Sequence, residues 1–220
     1  MTQPIALPLD PFALLDALFT SMDAQSRPIE HMKFRGAILG LGEDDFEPWV
    51  SIYGLNPRIV ADLDTLEIPA TINGYPVHGI LDEAFCGHKI RHLKFAPGAD
   101  LLYIGGSAFQ ECGLETIDSL PVEEIEPWAF RDNNLTEVPS WGKTEIIGEF
   151  AFAENKLTSL PDDWAGVKRV DQSAFADNEL ATVADAPGVD IHADAFKGNP
   201  YDGSFSVPEK IEKRGRKRRR

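Results

Sequence analysis

The dipeptide Ala-Phe recurs with its phenylalanine at Phe85, Phe109, Phe130, Phe152, Phe175 and Phe196, at intervals of 24, 21, 22, 23 and 21 residues. Ordinary composition gives about one such dipeptide in a chain of this length. Self-similarity at a period of about 20–50 residues marks a stacked array in which no single copy can bury its own apolar face. Five residues before each Phe stands a branched aliphatic: Ile80, Ile104, Ile125, Ile147, Val170 and Ile191. Five after the first five comes another, Ile90, Leu114, Leu135, Leu157 and Leu180, and eight after comes a third, Leu93, Ile117, Val138, Leu160 and Val183. The offsets inside a copy are fixed while the distance between copies stretches. Each copy is therefore one structural coil, with insertions in its loops.

One copy, "IGEFAFAENKLTSL" at 147–160, shows the logic. Ile147, Ala151 and Phe152 are spaced like one face of a short helical turn, while Leu157 and Leu160 fit a turn and the start of a short strand. Alone, the copy buries almost nothing. In a stack each Phe enters a continuous spine, and removing a Phe from water contributes about 1.5–3 kcal/mol. The stripe reads as core rather than as a ligand platform. Three residues after the Phe stands Asn133, Asn155, Asn178 or Asn199, with His88 and Cys112 in the first two copies. An amide can serve both N–H and C=O groups of an adjacent coil, so the column predicts a structural ladder.

Charge is divided between two objects. Residues 210–220 hold eight of the 21 Lys and Arg and one of the 36 Asp and Glu, so this segment carries +7 and the remainder −22. Cys86 and Cys112 are too few for a disulfide framework and lack the paired spacing of a zinc site, so two packed thiols are expected. The apolar stretch "PFALLDALF" has no positive region before it and is flanked or interrupted by Asp10 and Asp16, which argues against a secretory signal. No run reaches the roughly 18 apolar residues of a membrane span. The expectation is an intracellular, cytoplasmic protein, with a surface or secreted location as the alternative.

The fold expected is a repeat solenoid of short strands and helical turns, capped by an N-terminal helix and a small strand pair, with a disordered basic C-terminal arm. Residues 1–60 form the helix and cap, 61–203 the solenoid, and 204–220 the linker and arm. The helix is placed at about 11–24, with Asp10 as its N-cap and Pro11 at its first position. "FRGAILGLG" and "WVSIYGL" supply the two cap strands, which lead into "TLEIPA".

"LEIPATINGYPVHGILDEAF" at 66–85, followed by copies of the form Ile-x-x-x-Ala-Phe-x-x-Asn-x-Leu-Thr-x-Val, resembles the BspA-type leucine-rich repeats over about residues 60–200. That resemblance implies a curved repeat solenoid and a role as a surface adhesin or host-interaction protein. The family pattern contains no basic terminus.

No nucleophile motif and no phosphate loop is present, so no enzyme activity and no cofactor is expected. His88 and His92 have a metal-compatible spacing only on a helix, and the repeat alignment places them across a turn and a strand. The carboxylates Glu123, Glu124, Asp162 and Asp163 read as solvated surface. A protein-binding face is expected where alternate strand residues point outward, seven and nine residues after each Phe. Those positions hold His92, Lys94, Thr116, Asp118, Glu137, Ser159 and Thr182, together with Pro139, Pro161 and Ala184.

The basic residues Lys210, Lys213, Arg214, Arg216, Lys217, Arg218, Arg219 and Arg220 suit RNA or DNA phosphate. Other readings are a nuclear-import-like signal, attraction to an anionic membrane, and folding back on the acidic body. The function expected is a non-enzymatic scaffold for protein partners, tethered by this arm to an RNA-containing or other ribonucleoprotein assembly. The alternatives are a host-interaction or adhesion protein with an incidental tail, and an acidic inhibitor that mimics nucleic acid.

Overall fold

The computed structural model describes residues 34–38 (backbone only), 49–55, 64–72 and 74–200. The strands are β1 (Phe34–Ile38), β2 (Val50–Leu55), β3 (Thr65–Ile68), β4 (Thr71–Ile72), β5 (Tyr75–Ile80), β6 (His92–Phe95), β7 (Leu101–Ile104), β8 (Thr116–Ile117), β9 (Val122–Ile125), β10 (Ile146–Ile147), β11 (Arg169–Val170) and β12 (Asp190–Ile191). The main sheet runs β1-β2-β5-β7-β9-β10-β11-β12, parallel from β2 onward, and a second parallel sheet runs β3-β6-β8. About six stacked coils make a β-solenoid. The expected cap strands are present as the antiparallel pair β1–β2, and β2 continues directly into the main sheet through β5. The expected helix at 11–24 and the arm at 204–220 lie outside the described residues.

The register explains the aliphatic five residues before each Phe. Ile52, Ile80, Ile104, Ile125, Ile147, Val170 and Ile191 pair in sequence across the main sheet, all buried. Behind them the phenylalanines stack, Phe85 on Phe109 on Phe130 on Phe152 on Phe175 on Phe196, with ring centroids 5.0, 5.4, 5.1, 5.6 and 5.5 Å apart and planes within 16°. Trp141 closes the far side, edge-on to Phe152 and Phe175 and in contact with the Trp164 ring.

The helical turn expected around each Ala-Phe is absent: there is no helix among the described residues. The reason is a pair of positive-φ residues flanking the Phe, such as Trp128 (61°) and Asp132 (56°) around Phe130, or Phe150 (55°) and Glu154 (57°) around Phe152. A right-handed helix needs negative φ throughout. What forms instead is a tight turn whose N–H groups alternate between two destinations. The N–H groups of Trp128, Phe130 and Asp132 donate to the next coil, to Glu149, Ala151 and Ala153 carbonyls at 2.9, 2.8 and 3.0 Å. Those of Ala129 and Arg131 donate within their own turn, to Glu126 and Trp128. No donor from 128 to 132 is left unpaired, which is the condition for burying such a turn.

The Asn column is the predicted ladder. Asn155 Nδ2 donates to the carbonyls of Phe130 (2.9 Å) and Phe152 (3.2 Å), and its Oδ1 accepts from Leu135 N–H (3.1 Å). Asn133, Asn178 and Asn199 repeat the pattern, each reaching back to the Phe carbonyl of the preceding coil. In the copy with cysteine, Cys112 Sγ–H donates to Phe85 carbonyl at 3.0 Å, and Ile90 N–H turns to the Cys112 backbone carbonyl instead. Burial pushes the Cys112 thiol up to about 12, so it stays protonated and can donate. Cys86 corrects the expectation of two packed thiols, because its residue is exposed.

Phe130→Ala opens a gap in the middle of the stack and should lower stability by about 3–5 kcal/mol in a denaturant titration. Asn155→Ala strands Leu135 N–H inside the stack, while the Phe130 and Phe152 carbonyls keep their bonds from Asn133 and Asn178; a loss of about 1–3 kcal/mol is expected by the same measurement, with little change in the rest of the fold.

Candidate functional site

Of the residues expected to form a protein-binding face, only His92 and Lys94 (β6) and Thr116 (β8) lie in strands. Asp118 follows β8 directly, and Glu137, Ser159 and Thr182 are in no strand. The second sheet stops after three strands because the loops that follow in later coils carry Pro139 and Pro161, which have no N–H for a ladder. Contacts across the coils are made in the first of these positions. His92 Nδ1 and Thr116 Oγ1 are 2.9 Å apart, and Asp118 Oδ1 accepts from Phe95 N–H across the coils. All seven are solvent-accessible, His92 the least.

The main sheet presents a longer outer row that the sequence pattern alone did not reveal. Ser51, Gly79, Tyr103, Glu124, Ile146, Arg169 and Asp190 are paired in register across seven strands. Tyr103 lies flat over Gly79, where any Cβ would collide with its ring, and its hydroxyl meets Ser51 Oγ at 2.8 Å. Next to this row stand Leu102, which is 44% exposed, then Glu123, Glu145 and Lys168. Lys168 pairs with Glu145 at 2.5 Å, and Lys143 bridges Asp100 and Glu123. The face therefore sets Leu102 and Tyr103 on one side of Glu124 and Ile146 on the other, with charged pairs beside them. The signal that could have found it is the pattern of "LLYI" and "VEEI", apolar at both ends with two exposed residues between.

Two carboxyl groups meet at the edge of this sheet. Gly106 N–H donates to both Asp82 Oδ1 (2.9 Å) and Glu126 Oε2 (3.1 Å). Gly105 leaves room for them, since a Cβ there would lie 2.6 Å from the Asp82 nitrogen. Partial burial raises the Glu126 carboxyl above the ordinary range, the neighbouring Asp82 and Glu124 charges raise it further, and the Gly106 N–H opposes them. Among the described residues no three His, Cys, Asp or Glu side chains converge as metal ligands. His88 lies near the Cys86 carbonyl and His92 near Thr116. The basic residues from Lys210 to Arg220 lie outside the described residues.

Stacked parallel strands, a phenylalanine spine and an asparagine ladder define a leucine-rich-repeat type of β-solenoid. The BspA type leucine rich repeat region matches residues 61–182 in six copies, and the chain belongs to that family. No curated protein matches the chain. A leucine rich cell surface protein from Faecalibacterium prausnitzii A2-165 is similar in structure, with 17% identity and a TM-score of 0.47 over 86% of this chain and 58% of its own. The chain thus spans less than two thirds of that structure. No helix among the described residues is long and apolar enough to cross a membrane.

The sign of the Glu126 shift sets a pH test. A carboxyl raised in the folded state costs stability when ionised, and the cost disappears as pH falls through its folded value toward the ordinary carboxylate range. Glu126→Gln should therefore raise the melting temperature at pH 7, and the gap to wild type should close below about pH 4.

Proposed function

We propose that the chain is a non-enzymatic protein-recognition solenoid making adhesion-type or host-interaction contacts through the outer face of its main sheet. The working unit is the stretch 61–203. The observation that carries this reading is the in-register outer row, in which the accessible Leu102, Tyr103 and Ile146 are interleaved with Glu123, Glu124, Glu145, Lys168 and Arg169. A mixed surface with an exposed tyrosine and aliphatic side chains is common in protein interfaces. The family points the same way, since the BspA-type resemblance implies surface and host-interaction roles for proteins built on this solenoid. The nucleic-acid tether rests on the charge of residues 210–220 alone; neither the fold nor the family supports it, and the intracellular location has no support either.

A photo-reactive amino acid placed in turn at Leu102, Glu124, Glu137, Ser159 and Asp185 tests the reading. Protein adducts should come from 102 and 124 and should be lost on Ile146→Asp. Adducts from 137 and 159 alone would move the contact to the second sheet's face. Equal labelling from 185 would remove the case for either face.

A further inference from the structure

Trp128 and Phe150 occupy the positive-φ position two residues before the Ala-Phe phenylalanine, where other coils place Glu83, Ser107 and Ser173. Their rings stack at 6.3 Å and within 7°, and Trp128 is 39% exposed. Two large aromatics here form an apolar ledge on the outside of the solenoid. Beside the ledge, two residues after the Phe in four successive coils, stand Glu111, Asp132, Glu154 and Asp177. Adjacent coils lie about 4.8 Å apart, so these are stacked like charges. Of the four, only Glu154 has an ion pair among the described residues.

That one pair shows what the ledge accepts. The Arg131 guanidinium sits 6.0 Å from the centre of the Phe150 ring and pairs with Glu154 Oε1 at 2.6 Å. An arginine held by an aromatic face on one side and a carboxylate on the other uses both of its recognition modes at once. Trp128 with Asp132 offers the same groups, and Asp177 in a later coil offers a carboxylate beside Ser173, neither acid having an ion pair among the described residues.

We infer that this edge is the docking surface for the chain's own basic segment, Lys210–Arg220. Two observations choose that occupant. The segment carries +7, whereas residues 64–200 hold 24 Asp and Glu against nine Lys and Arg. It is rich in arginine, the residue the ledge already holds. Residues 201–209 can span up to about 30 Å, against about 14 Å from the Asp177 coil to the Glu111 coil. The basic segment then screens the stacked carboxylates.

Trypsin cleavage within 210–220 of the full chain, followed by mass spectrometry and compared with a synthetic peptide of the same residues, tests the contact. At low salt the full chain should be cut about tenfold more slowly than the peptide, because cleavage follows the open fraction. High salt should restore the peptide's rate, and so should Trp128→Ser combined with Asp132→Asn and Asp177→Asn, the serine being native at this position in two other coils. Carbodiimide should cross-link Lys213 or Lys217 to Asp132, Glu154 or Asp177. Cleavage at the peptide's rate at low salt would overturn the inference. Protection relieved equally by Asp162→Asn with Asp185→Asn, with no cross-link to the ledge, would overturn it too, since that is general attraction to an acidic body.

Discussion

Everything in this solenoid depends on how its backbone hydrogen bonds are handed from coil to coil inside the apolar stack. The Ala-Phe turn is buried, and a buried turn cannot leave donors or acceptors without partners. Positive φ on both sides of the Phe aims alternate N–H groups at the next coil, and the asparagine amide serves the coil before it. Those two devices let the phenylalanines approach to van der Waals contact over six coils. Without them the same rings would be separated by unpaired peptide groups, each costing about 1–3 kcal/mol. The positive-φ residues are strained, and the stack supplies the stabilisation that holds them.

The spine and the ladder are legible in the sequence because the residue types that build them can play few other roles in such a pattern. Six phenylalanines at fixed offsets from aliphatics have to share a core, and an Asn column inside that core has to bond to backbone. The conformation between them is not legible. Ile147, Ala151 and Phe152 fit a helical face by spacing, but Ile147 ends a strand and Ala151 and Phe152 lie in a turn. The feature that breaks the helix is carried by Glu, Ser, Trp, Phe and Asp in most coils, residues that do not announce positive φ; only Gly87 and Gly198 do so. The outer row of the main sheet is hidden for the same reason, because a residue assigned to a helical turn has no defined sheet face.

Surface chemistry divides the molecule into distinct faces. The main sheet offers aliphatic and aromatic groups with compensated charges around them, which suits a protein partner. The turn edge offers aromatics next to carboxylates that mostly lack a counter-ion, which suits a cation. A chain that carries −22 outside residues 210–220 and +7 within them contains both halves of that second interaction.

The most direct test of the central claim is hydrogen exchange at the amides of Leu114, Leu135, Leu157 and Leu180, each bonded to an asparagine Oδ1 in the next coil. If the ladder unites the coils, all four should exchange only with global unfolding, at one common free energy. Exchange of any of them at the rate of an exposed loop amide would contradict the account.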